Sequence, residues 1–118
     1  MKKTVLICDD DKDILELCTF ILSKNYEVQT SLHVINILDL IEEKQPDLIL
    51  MDLWIPDIGG EQATALLKKN EETKDIPVIL FSANDEIQKV YERVGANGYI
   101  KKPFTVSDLK SYVASNLA

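Results

Sequence analysis

Apolar residues in this chain fall into two rhythms that take turns. Thr4-Val-Leu-Ile-Cys8 is a short continuous apolar run containing β-branched residues, the pattern of a strand covered on both faces. Ile14, Leu15, Leu17, Cys18, Ile21 and Leu22 then recur at helical spacing. Asp11 or Asp13 stands near the start, where a carboxylate suits exposed amides. Residues 26–30 alternate with a period of two, which predicts a strand with one less buried face, at a sheet edge. Residues 31–43 carry Val34, Ile35, Leu38 and Ile41 on one side and predict a second helix, opened near His33 and ended by Pro46. Residues 47–51 form another all-apolar strand that runs into Asp52. Residues 56–60 have loop chemistry, and a helix follows through Ala63, Leu66 and Leu67.

The cycle continues with a strand over 77–81 ending at Ser82 and a helix over 85–94 that Gly95 closes. Residues 97–100 predict a short last strand. A final helix spans 105–117, with Asp108 three residues after Thr105 as in a capping box. Strict alternation of five strands and five helices predicts an α/β fold, a parallel sheet with helices on both faces and right-handed crossovers. Ligands in such sheets bind beyond the carboxyl ends of the strands. At those ends stand Asp9 and Asp10, Asp52, Ser82 and Lys102.

Length and composition narrow the setting. The chain has 118 residues, 46% apolar and 28% charged, which predicts a single domain over residues 1–118 rather than a repeat or disordered chain. Net charge is −7 and no window concentrates Lys or Arg, so direct nucleic-acid binding is not expected. Asp9, Asp10 and Asp11 cut the first apolar run too short for a signal peptide. No run approaches the roughly 18 apolar residues that cross a bilayer, and we expect a cytoplasmic protein without membrane contact. Cys8 and Cys18 sit inside apolar periodic segments without metal-type spacing, as buried reduced thiols do.

Three carboxylates brought to one rim repel one another, which raises their pKa values or demands a cation. All-oxygen donors select a hard cation such as Mg2+, and the rim has no histidine or thiolate to favour zinc. With the metal present, an aspartate can attack phosphorus to form an acyl phosphate, and a cation offsets charge on the phosphoryl oxygens. Lys102 is the natural cation, and Ser82 can donate its hydroxyl. Each residue alone has an ordinary reading: Asp9, Asp10 or Asp52 as a helix cap, Ser82 as a turn residue, Lys102 as a solvated charge. Their coincidence, each after a different strand, points to chemistry.

Ile7-Cys-Asp-Asp-Asp11, Asp47-Leu-Ile-Leu-Met-Asp52-Leu-Trp-Ile-Pro56, Phe81-Ser-Ala83 and Gly98-Tyr-Ile-Lys-Lys-Pro-Phe104 together resemble the four signatures of response-regulator receiver domains, in order and across essentially the whole chain. The resemblance implies a flavodoxin-like doubly wound sheet of order 2-1-3-4-5. It makes Asp52 the phosphoacceptor, Asp10 a direct Mg2+ ligand, Asp9 a ligand mainly through water and the Trp54 backbone carbonyl a third protein ligand. Lys102 matches the family lysine because it directly precedes Pro103, through a bond the family usually holds cis. Ser82 and Tyr99 become the switch pair, reshaping a face built from the fourth helix, fifth strand and fifth helix. That face would meet a downstream target or output domain, and in many relatives it forms a homodimer. The phosphoryl donor would be a sensor histidine kinase or a histidine phosphotransfer protein.

The match has departures. Gly60 fits the family pattern, but the acidic position before it is Gly59 here, in the stretch Ile58-Gly59-Gly60. Trp54 is bulky for its variable position and either shields the acyl phosphate from water or packs outward. Asn84, two after Ser82, occupies another position that tunes hydrolysis. His33, expected far from the rim, reads as a surface residue. Two other functions compete with the signalling module. An aspartyl phosphohydrolase of the haloacid-dehalogenase type typically has a second Asp where Trp54 stands, and a scaffold that works by contact alone usually loses the acidic pair, the acceptor or the lysine.

Overall fold

The computed structural model describes residues 2–55 and 59–117. Five strands, β1 (Thr4–Cys8), β2 (Glu27–Ser31), β3 (Leu48–Asp52), β4 (Val78–Ser82) and β5 (Gly98–Lys101), alternate with five helices. The helices are α1 (Lys12–Leu22), α2 (Ile37–Lys44), α3 (Gly60–Lys69), α4 (Ile87–Val94) and α5 (Val106–Leu117). All strand pairs are parallel and their order is β2-β1-β3-β4-β5, the predicted flavodoxin-like sheet.

Strand alternation sorts the core into two layers. Val5 and Ile7, Leu48 and Leu50, Ile79 and Phe81, and Ile100 pack with Leu15, Cys18, Leu109 and Val113 of α1 and α5. The intervening residues Leu6, Ile49, Met51, Val78 and Leu80 pack with Ile37, Leu67 and Val90 of α2, α3 and α4. Both β3 and β4 are buried along their full length, which explains why they read as unbroken apolar runs. β2 is an edge strand, as predicted, with none of its residues fully buried, though its exposure does not follow the two-residue alternation.

Two helix starts differ from the expectation. The second helix begins at Ile37 rather than residue 31, because β2 continues to Ser31 beside Cys8 and Asn36 caps α2, accepting from the Asp39 N–H at 3.2 Å. Val34 is buried in the core from the preceding loop, while Ile35 is 81% exposed, so their helical spacing is accidental. His33 therefore opens no helix; it is exposed in a loop that leaves the carboxyl end of β2. The fourth helix begins at Ile87 rather than 85. Ser82 Oγ accepts from Asn84 N–H and Asn84 Oδ1 from Glu86 N–H, side-chain bonds that compete with the first helical turn.

Other ends follow expectation. Asp11 rather than Asp13 caps α1, Thr105 Oγ1 accepts from Asp108 N–H at the start of α5, and Gly95 closes α4 with φ of 72°. The Ile58 end of the loop before Gly59 lies outside the described residues, as does Pro56. Asn36→Ala should lower unfolding free energy by about 1 kcal/mol, with the loss seen as a shifted urea midpoint at unchanged slope; an unaltered midpoint would mean the cap is not holding α2.

Candidate functional site

The alternation that builds the core also builds the site. Asp9 continues the parity of Val5 and Ile7, Asp52 that of Leu48 and Leu50, and Lys102 that of Ile100. All three side chains therefore leave the sheet toward the α1 and α5 face, just past the apolar residues that fix their strands. Backbone bonds extend the ladder to these positions: Asp9 N–H donates to Ser31 O at 3.1 Å and Lys102 N–H to Ser82 O at 2.9 Å.

The Lys102 ammonium donates to Asp9 Oδ2 at 2.9 Å and reaches Asp52 Oδ1 at 3.4 Å. Asp9 and Asp52 are buried, Asp10 exposed. The other Asp9 oxygen accepts from Asp11 N–H at 2.9 Å. One oxygen from each of Asp9, Asp10 and Asp52 lies within 4.8 Å of the others. Three carboxylates against one ammonium leave negative charge for a cation to neutralise, and the donors are all oxygen, as Mg2+ requires.

Burial, joined by the Asp9 charge, pushes the Asp52 carboxyl up to about 6 despite the Lys102 ammonium. Burial works against the Lys102 charge, but its bonds to Asp9 and Asp52 outweigh it and raise its pKa. At neutral pH the site thus holds an ionised, partly desolvated carboxylate beside a firmly protonated lysine. Cys8 and Cys18 are free and buried. Burial lifts their thiols to about 12 and about 11, so they are inert at neutral pH.

Ser82 is fully buried and continues the opposite parity, that of Val78 and Leu80. Tyr99 packs on the same layer, its ring 5.1 Å from that of Tyr91. The Lys102–Pro103 bond is cis. Trp54 is 68% exposed and lines a cleft of about 890 Å3 with Ala65 of α3 and Arg93 of α4. Asn84 shapes the turn after β4, as described. Thus Asp9, Asp10, Asp52 and Lys102 meet, and Ser82 stands at the end of the strand beside that of Asp52, while Tyr99 packs against Tyr91, Trp54 lines the neighbouring cleft and Asn84 lies in the turn after β4.

Gly60 has a second reason to be glycine besides the family pattern. A Cβ there would lie 2.1 Å from the Asp52 carbonyl oxygen and 2.8 Å from the Leu53 Cα, so the start of α3 rests directly on the Asp52 backbone. Gly59, with φ of 83° and ψ of 149°, occupies a region open only to glycine. Sequence reading missed Phe81, whose ring face carries the Lys102 ammonium 4.6 Å from its centroid. The signal was the shared parity of Phe81, Ile100 and Lys102 across paired strands.

A carboxyl whose folded-state pKa is raised destabilises the fold when it ionises. That loss is absent below about pH 4 and complete above about pH 6. Metal-free Asp52→Asn should therefore exceed the parent in stability by about 1–3 kcal/mol at pH 7–8, with the gap closing as pH falls through 6. Urea unfolding across pH 4–8 reads this directly, and a pH-independent gap would contradict it. Gly60→Ala should destabilise by well over ~1 kcal/mol, the clash outweighing the backbone entropy that alanine in place of glycine would save; a neutral or stabilised variant in the same assay would refute the close approach.

The family profile described as the response regulator receiver domain matches residues 5–114. Among solved structures, a candidate response regulator from Chloroflexus aurantiacus J-10-fl is 27% identical with a TM-score of 0.92, covering 99% of this chain and 98% of that one. The receiver domain of NtrX from Brucella abortus is 28% identical with a TM-score of 0.85, covering 96% and 97%. The chemotaxis response regulator CheY4 of Vibrio cholerae shares the fold, with a TM-score of 0.89 at 23% identity over 99% and 100%. Profile, topology and the clustered acidic rim agree: the chain belongs to the response regulator receiver domain family of two-component systems.

Proposed function

We propose that this receiver takes a phosphoryl group on Asp52 from a phosphohistidine of a sensor histidine kinase or a histidine phosphotransfer protein. The observation that carries the reading is the contact of one ammonium, Lys102, with two buried carboxylates, Asp9 and Asp52. An Asp52 oxygen attacks phosphorus as the phosphorus–nitrogen bond breaks, and the donor imidazole leaves with a proton. Lys102 balances charge on the arriving phosphoryl oxygens, and Ser82 can turn its hydroxyl to another. Asp9, Asp10, Asp52 and the Trp54 carbonyl would hold Mg2+, which supplies charge neutralisation at the same oxygens. The chain then returns to its resting state when water hydrolyses the acyl phosphate, a step on which Trp54 and Asn84 border.

The readout runs through Ser82 and Tyr99, which share the α2–α4 side of the sheet. Movement of Ser82 toward the phosphoryl group frees space into which Tyr99 can shift, biasing the α4–β5–α5 face between two states. Exposed Val106 and Tyr112 of α5 suit contact with a target, an output domain or a second copy. Among the described residues no helix is long and apolar enough to cross a membrane, and a cytoplasmic setting fits a kinase-fed module.

Intact mass after incubation with acetyl phosphate and Mg2+ tests this. We expect one phosphoryl adduct, labile to hydroxylamine, absent from Asp52→Asn and from a chelated control, and at least about 10-fold slower to form in Lys102→Ala. An adduct that persists in Asp52→Asn would name another nucleophile, and none under any condition would favour a scaffold.

A further inference from the structure

Lys102 is held by the groups a cation would take. Asp9 Oδ2 and Asp52 Oδ1 bind its ammonium, and both belong to the cluster able to hold a metal. A divalent cation there competes for these oxygens and repels a like charge. The lysine has a flexible four-carbon stem and is partly exposed, so loss of its carboxylates alone would release it toward water. Its third contact is of another kind. The ammonium lies over the Phe81 ring, 4.6 Å from the centroid, inside the range of cation–π attraction.

We infer that Phe81 is a positioning residue, an anchor that keeps the Lys102 ammonium beside Asp52 when the carboxylates are engaged elsewhere. The inference rests on the phosphoacceptor reading above. A ring face attracts the ammonium without spending a carboxylate, so this contact survives competition for Asp9 and Asp52. The strand sequence is selective about where the ring stands. Val78, Ile79 and Leu80 are aliphatic, and the aromatic comes at the residue paired with Ile100, two before Lys102. The ring is only 2% exposed and packed within the α1 and α5 layer, so it is fixed in place while the lysine stem is not. An aliphatic residue would fill the same layer but offer the ammonium no negative face.

Site-specific replacement of Phe81 by mono-, di- and trifluorophenylalanine weakens the ring face stepwise with little change of shape, and Phe81→Leu removes it. Two readouts apply to the whole chain. The first is the proton shift of the Lys102 ε-methylene by NMR, without metal and with saturating Mg2+. The second is the rate of adduct formation from acetyl phosphate at saturating Mg2+. We expect the ε-methylene of the parent to be shifted upfield by the ring and to stay so with Mg2+. Adduct formation should slow in step with fluorination and fall three- to tenfold in Phe81→Leu, with melting temperatures of the fluorinated proteins unchanged. A rate flat across the fluorine series, or an upfield shift that disappears when Mg2+ is added to the parent, would overturn the inference. Should the parent form no adduct, the phosphoacceptor reading fails instead, and the shift with and without Mg2+ still decides whether the ring holds the lysine.

Discussion

One ammonium between two buried carboxylates is the contact on which the rest of the structure depends. Asp9 directly follows β1, Asp52 ends β3 and Lys102 directly follows β5, so their meeting fixes the carboxyl edge of the sheet. The arrangement is unbalanced by design of its charges: with Asp10 there are three acidic groups to one basic. Pairing through Lys102 makes the cluster tolerable in the folded chain, and the remaining negative charge makes it receptive to a hard cation. Burial first, and the Asp9 charge after it, raise the pKa of Asp52. Burial of a carboxylate weakens the fold at neutral pH, and the net negative charge of the same cluster suits a hard cation, a division between stability and function seen elsewhere at active sites.

Rigid support keeps Asp52 in place. β3 is buried throughout, and just beyond it Gly60 N–H donates to Leu53 O at 3.1 Å. Fully buried Thr64 then donates its hydroxyl to Gly60 O at 2.8 Å. α3 is thus fastened to the backbone beside Asp52 at its first turn, and a methyl group at residue 60 is excluded by the Asp52 carbonyl. The position of Asp52 is set by backbone packing, while its charge environment is set by side chains that follow other strands. The two can be perturbed separately.

Much of this was legible in the sequence because burial on two faces leaves a strong mark. β1, β3 and β4 read as continuous apolar runs, and the carboxyl-edge residues followed from their ends. Val34 and Ile35 misled because a loop residue buried in the core mimics helical spacing, and only the Asn36 cap reveals where α2 begins. Asp85 and Glu86 misled because a chain of side-chain turns through Ser82 and Asn84 occupies the first turn that spacing would assign to α4. Phe81 was hidden by its fitness as a core residue. Its second contact belongs to the pairing of β4 with β5, which no local pattern displays.

That pairing gives β4 a double role. Phe81 and Ser82 are consecutive, so their side chains leave opposite faces of the same strand. Phe81 faces the layer of α1 and α5, beneath Lys102. Ser82 faces the layer of α2, α3 and α4, where Tyr99 packs against Tyr91. Under the proposed function, charge arriving at Asp52 meets a lysine anchored on one side of β4 and a hydroxyl that belongs to the other. Two adjacent residues then connect the chemistry to the face that carries the signal, and no longer path through the core is needed. A short strand buried on both sides suits this purpose, since neither residue can move without its neighbours registering the change.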